Sequence, residues 1–125
     1  MRTYLIEPQT IFVPFLTRLL ADAGLSVIAT RDDIDGRDIV AHDPAAIFVD
    51  VDFFNRGGPN ALCRIRQVAR NAAIVAFSET EDPTFEAACI ISGASALISK
   101  RSGMEGMLRS VRSLLGPQPV HAATA

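Results

Sequence analysis

Apolar residues along this chain alternate between two rhythms. Short continuous runs, namely Tyr4-Leu5-Ile6, Leu25 to Ala29, Ala45-Ala46-Ile47-Phe48-Val49-Asp50-Val51-Asp52, Ala73 to Phe77 and Ala96 to Ser99, read as strands, the third buried on both faces and the fourth also buried. Between them, apolar positions return at helical spacing. Ile11, Phe12, Phe15, Leu16, Leu19, Leu20 and Ala23 make one wide face, and Arg37 to His42 makes a single short helix. A helix over 60–70 turns Leu62, Ile65 and Val68 inward, and one over 83–92 does the same with Phe85, Ala88 and Cys89. Met104, Met107, Leu108, Val111, Leu114 and Leu115 share one face of the last helix.

Punctuation supports these spans. Thr10 is placed to cap the first helix, and Pro14 falls in its first turn, where backbone N–H groups have no partner inside the helix. Gly24 and Gly93 end helices, Asn71 suits a left-handed terminator, and Pro83 suits a first helical position. Ser102 and Glu105 have the spacing of a capping box. Gly116-Pro117 closes the last helix, so residues 1–116 are expected to form one domain and 117–125 a flexible tail.

Strands alternating with helices predict a parallel sheet covered on both faces, a flavodoxin-like α/β fold of three layers. Right-handed crossovers favour the order 2-1-3-4-5 for five strands of this length. A chain of 125 residues, 49% apolar, can bury a core without disulfides or a structural metal. Its net charge of -2, with basic residues scattered, offers no general attraction to nucleic acid or to an anionic membrane. Cys63 and Cys89 form no zinc or redox motif and are expected to be reduced, small core residues. No run of about eighteen apolar residues exists, and Glu7 and Pro8 interrupt the first run, so a cytoplasmic location is expected.

Ligand chemistry in open α/β sheets collects at the carboxyl ends of the strands, where loops diverge. In this fold those ends carry Glu7, Asp50, Ser78 and Lys100 to one edge. With these residues so placed, the chain resembles the receiver domains of bacterial response regulators over residues 2–115. Asp50 matches the phosphate-accepting aspartate, Ser78 the hydroxyl residue after the fourth strand, Lys100 the lysine after the fifth, and Glu7 the first of an acidic pair. Gly58 falls where the family often has glycine.

The resemblance implies a stand-alone module in two-component phosphorelay signalling. It would take a phosphoryl group from a histidine kinase or phosphotransfer protein onto Asp50 and act through a downstream protein target; it also admits a homodimer. It implies Mg²⁺ held by Glu7, Asp50 and the backbone carbonyl of Asp52, since a hard cation takes oxygen ligands. Four positions depart from the family. Pro8 stands at the second acidic position and removes a metal ligand; Phe54 and Arg101 replace prolines, and Leu97 replaces an aromatic residue. These departures make the receiver atypical and leave a phosphorylation-independent adaptor as the alternative.

Plainer readings stand beside each candidate: Asp50 capping a loop, Glu7 as a solvated strand end, Lys100 as a surface charge, Ser78 as an ordinary loop serine. An enzyme is not expected. The rival of that class is a small phosphatase, because Asp50-Val51-Asp52 resembles the DxD of haloacid-dehalogenase-type enzymes, with a nucleophile followed by an acid and base. Against it, that motif normally ends a first strand, and later paired acidic residues are absent. Asp33, Asp35 and Gly36 fail as a calcium loop, with Arg31 and His42 at ligand positions, and Gly57-Gly58-Pro59 lacks a P-loop lysine.

Overall fold

The computed structural model describes residues 1–116; the expected tail at 117–125 lies outside them. Strands β1 (Arg2–Ile6), β2 (Ser26–Arg31), β3 (Ala46–Asp50), β4 (Ala73–Ser78) and β5 (Ala96–Ser99) form one parallel sheet in the order β2-β1-β3-β4-β5. Helices α1 (Val13–Asp22), α2 (Gly36–His42), α3 (Gly58–Val68), α4 (Pro83–Ile91) and α5 (Gly103–Leu115) make the crossovers. This is the expected flavodoxin-like architecture.

Side chains alternate across each strand, and the sheet therefore carries two cores. Tyr4, Ile6, Ile47, Val49, Ile74 and Ala76 enter one, closed by Ile39 of α2, Leu62 and Ile65 of α3, and Cys89 of α4. Leu5, Phe48, Val75, Phe77 and Ile98 enter the other, closed by Leu16, Leu19 and Leu20 of α1 and by Met107 and Val111 of α5. Every residue of β3 is buried, as its uninterrupted apolar run requires. The fully buried Tyr4 places its hydroxyl on Asp38 at 2.5 Å, and Arg31 donates to the same carboxylate at 2.8 Å, tying β1, β2 and α2 together.

Several local expectations are corrected. Thr10 caps nothing: Thr10–Phe12 is a 3-10 turn without a side-chain cap, and α1 starts at Val13 with Pro14 in its first turn. The tighter winding swings the start of the segment away from the helical face, leaving Ile11 80% exposed and Phe12 and Phe15 partly so. The left-handed terminator is Asp43 at the end of α2, with φ of 45°, rather than Asn71.

The end of α3 is held by Arg66, whose guanidinium donates to the carbonyls of Ala69, Arg70, Ala72 and Gly93. Val68 lies in the last turn and is exposed, and so is Cys63, one position past the buried Leu62 and therefore on the outer side of the helix. The Ser102–Glu105 capping box does not form. Ser102 does stand at the N-cap position before Gly103, but its hydroxyl turns back to donate to the Ser99 carbonyl and makes no cap bond. Met104 and Leu114 flank the buried stripe of α5 and stay partly exposed. Among the described residues no helix is long and apolar enough to cross a membrane.

Candidate functional site

β3 ends in Asp50, and its neighbours in register bring the other candidates alongside. Ile6 pairs with Val49, which puts Glu7 next to Asp50; Asp50 pairs with Phe77, and Ser78 pairs with Ser99. Lys100 follows immediately in the 3-10 turn Lys100–Ser102. The parallel register alone therefore gathers Glu7, Asp50, Ser78 and Lys100 at one edge. Glu7, Asp50 and Ser78 are all buried there, an unusual concentration of polar groups that demands partners.

Lys100 reaches into this edge and answers two carboxylates at once. Its Nζ lies 2.8 Å from Asp50 Oδ2 and 2.7 Å from Asp52 Oδ2, with the Phe53 ring centroid 5.2 Å away. The Ser78 hydroxyl, matched to the family's hydroxyl residue after the fourth strand, donates to Asp52 Oδ1 at 2.6 Å, and the Glu79 N–H donates to Asp52 Oδ2 at 3.0 Å. Asp52 thus takes part through its carboxylate, whereas the resemblance assigned it only a backbone carbonyl. The acidic Asp50-Val51-Asp52 spacing was the signal for this, read only within the phosphatase alternative. The Asp52 N–H closes the loop by donating to Asp50 Oδ1 at 3.1 Å.

Electrostatics separates Glu7 from Asp52. Burial raises the Glu7 carboxyl, and hydrogen bonding with Asp50 raises it further, to about 8. Its Oε2 accepts from the Gln9 N–H at 2.9 Å, while Oε1 is buried without a partner. A proton on this carboxyl spares two adjacent acids from both being charged. Burial works against the Asp52 carboxylate, but the bonds from Lys100, Ser78 and the Glu79 N–H outweigh it and hold the group below its usual range. For Lys100, too, burial opposes the charge and the two aspartates overcome it, raising the ammonium.

The partnerless Glu7 Oε1 also tests whether a divalent cation fits. A hard cation at that oxygen would replace the proton and relieve the repulsion with Asp50. Among the described residues no three acidic, histidine or cysteine side chains converge on one metal position, Pro8 leaving Glu7 and Asp50 as the pair of side chains available. Mg²⁺ is commonly held by one or two carboxylates with water and phosphate oxygens completing the shell, so this donor set suits it. Beside the acids opens a cleft of about 290 Å³ whose apolar wall is Phe12, Phe15, Leu16 and Met107.

Fold and site together define a doubly wound α/β domain with an acidic centre and a lysine at the carboxyl edge of its sheet. Residues 4–112 match the family described as the response regulator receiver domain, and the chain belongs to that family. Its fold is shared with the signal receiver domain of NarL from Mycobacterium tuberculosis, at a TM-score of 0.74 and 19% identity, covering 94% of this chain and 97% of that one. The CheY of Borrelia burgdorferi, solved in a complex with CheX, BeF3 and Mg²⁺, gives a TM-score of 0.75 at 20% identity over 94% of this chain and 90% of the other. A LuxR-family response regulator from Aurantimonas sp. SI85-9A1 gives 0.75 at 23% identity, over 91% and 84%. No curated protein matches the chain.

Proposed function

We propose that this receiver domain takes a phosphoryl group onto Asp50 and signals by contact with another protein. The observation that carries the reading is the ion pair between the buried Asp50 and Lys100 at 2.8 Å, at the edge where a crevice is open to a donor. An Asp50 oxygen would attack the phosphorus of a phosphohistidine on a kinase or phosphotransfer protein. The P–N bond breaks, the imidazole leaves with its electron pair, and an acyl phosphate remains. Lys100 supplies positive charge against the phosphoryl oxygens. Mg²⁺, held by Glu7, Asp50 and the Asp52 carbonyl, would shield the incoming phosphoryl charge. The chain would work in the cytoplasm as a binding module without turnover of its own. Asp52 fits poorly as the general acid of a phosphatase, because its carboxylate is already held by Lys100, Ser78 and Glu79.

A second reading, a phosphorylation-independent adaptor, is favoured by that same hold on Ser78 and Lys100, together with Pro8 in place of an acid. Incubation with phosphoramidate, with and without Mg²⁺, followed by intact-mass measurement separates the two. The expected result is addition of one phosphoryl group that Asp50→Asn abolishes. No addition under either condition rejects the phosphoacceptor, and partner binding unchanged by Asp50→Ala would establish the adaptor.

A further inference from the structure

Three hydrogen-bond donors converge at the carboxyl edge on a single point from two separate strand ends. Ser78 and the Glu79 N–H come from the end of β4, and the Lys100 ammonium from just beyond β5. The Ser78 hydroxyl is aimed by its own surroundings: the Thr80 N–H donates to Ser78 Oγ at 3.0 Å, which leaves the hydroxyl hydrogen for an acceptor on the other side. A hydroxyl, a backbone amide and an ammonium so arranged make a seat for an oxyanion, since each bond to a charged acceptor is strengthened in a partly buried site. The acceptor they meet is the carboxylate of Asp52, with Ser78 on Oδ1 at 2.6 Å and both Glu79 N–H and Lys100 on Oδ2, at 3.0 and 2.7 Å.

We infer that Asp52 is a resident anion of this seat: its carboxylate does for the rim what a bound oxyanion would do, drawing the ends of β4 and β5 together and keeping external oxyanions out. Asp52 is itself anchored, because its N–H donates to Asp50 Oδ1, so the tether from the end of β3 holds the carboxylate over the donors. The effective concentration of a tethered ligand is far above that of a free anion, which is why the seat would be filled before any competitor arrives. If Asp50 takes a phosphoryl group as proposed above, that group meets donors already engaged; this consequence rests on the earlier reading, while the resident anion does not.

The experiment therefore removes Asp50 from the question. Asp50→Ala loses the Asp52 N–H anchor, but the covalent tether through Val51 and the three donors still seat the Asp52 carboxylate; in Asp50→Ala/Asp52→Ala the seat is vacated, with Lys100, Ser78 and the Glu79 N–H released. Sulfate titrated into the full chain and followed at the Glu79 and Thr80 amides by NMR should give saturable shifts in the double variant. Its affinity there should exceed that in Asp50→Ala by at least about tenfold, the ratio expected for exclusion by a charged acceptor with these bonds. Equal affinities, or no saturable shift in either protein, would overturn the inference. Should the double alanine variant not fold, Asp50→Asn/Asp52→Asn against Asp50→Asn makes the same comparison at nearly unchanged volume, with the same two outcomes. The phosphoramidate labelling above stands apart from this: its failure would end the phosphoacceptor reading, and the sulfate ratio would still decide the resident anion.

Discussion

Glu7 and Asp52 lie at the same edge and respond to pH in opposite directions. The Glu7 carboxyl is raised from 4.5 to about 8, so the folded chain holds a proton that the unfolded chain gives up. Its contribution to stability is complete below about 4.5 and is lost as pH rises through about 8. Asp52 is lowered from 3.8, so its contribution is present above that value and is lost as pH falls through the still lower folded value. The two windows do not overlap. Urea unfolding between roughly pH 5 and pH 9 should therefore show wild-type stability falling relative to Glu7→Gln, which carries no titrating proton. Parallel pH profiles for the two proteins would show that Glu7 is not the group responsible.

The elements end in ways their spacing alone does not reveal. A helix start was legible where a rigid residue acts on its own turn, as Pro83 does in opening α4; the caps at Asp82 and Asp35, which accept from the backbone N–H groups of Thr84 and Asp38, came only with the structure. A helix end was not legible where a side chain reaches past its own helix, as after α3, where Arg66 donates to the carbonyls of Ala69, Arg70 and Ala72 beyond the last turn. That guanidinium also reaches the carbonyl of Gly93, whose φ of +128° suits glycine, and where an added Cβ would meet Arg66 Cβ at 2.8 Å. One arginine thus joins the end of α3, the approach to β4 and the turn after α4. Arg66→Met keeps the stem but leaves four carbonyls without this donor, and should lower unfolding stability by about 2 kcal/mol. The Glu79 and Lys100 resonances should stay in place, because the joint lies at the opposite end of the strands. A loss below a few tenths of a kcal/mol would mean that water replaces the guanidinium.

The sheet couples the two cores of the molecule. β1, β3 and β4 each send alternate side chains into both, so neither core can open without breaking strands that the other needs. Leu19 and Leu62 are fully buried on opposite faces. Leu19→Ala and Leu62→Ala should each cost about 2–5 kcal/mol, the range for a buried leucine truncated in a packed interior. Each should move a single transition, with far-UV dichroism and the fluorescence of Tyr4 coinciding in a denaturant titration. Separated curves in either variant would show that the faces unfold independently.

The alternation of short apolar runs with helical periodicities determined the order of elements, the doubly wound sheet and the edge to which Glu7, Asp50, Ser78 and Lys100 come. These follow from backbone geometry, because strand and helix periods belong to every residue and parallel crossovers have one hand. Which oxygen receives which donor was decided only by the tertiary structure. Asp50 and Asp52 are the same residue type two positions apart, and their spacing marks both as acids of the edge without showing that the carboxylate of Asp52 turns toward the ends of β4 and β5 and captures Ser78, Glu79 and part of Lys100. The raised Glu7 carboxyl has the same origin. Burial beside another acid is a fact of packing between chain segments, and it exists only once β1 and β3 lie side by side.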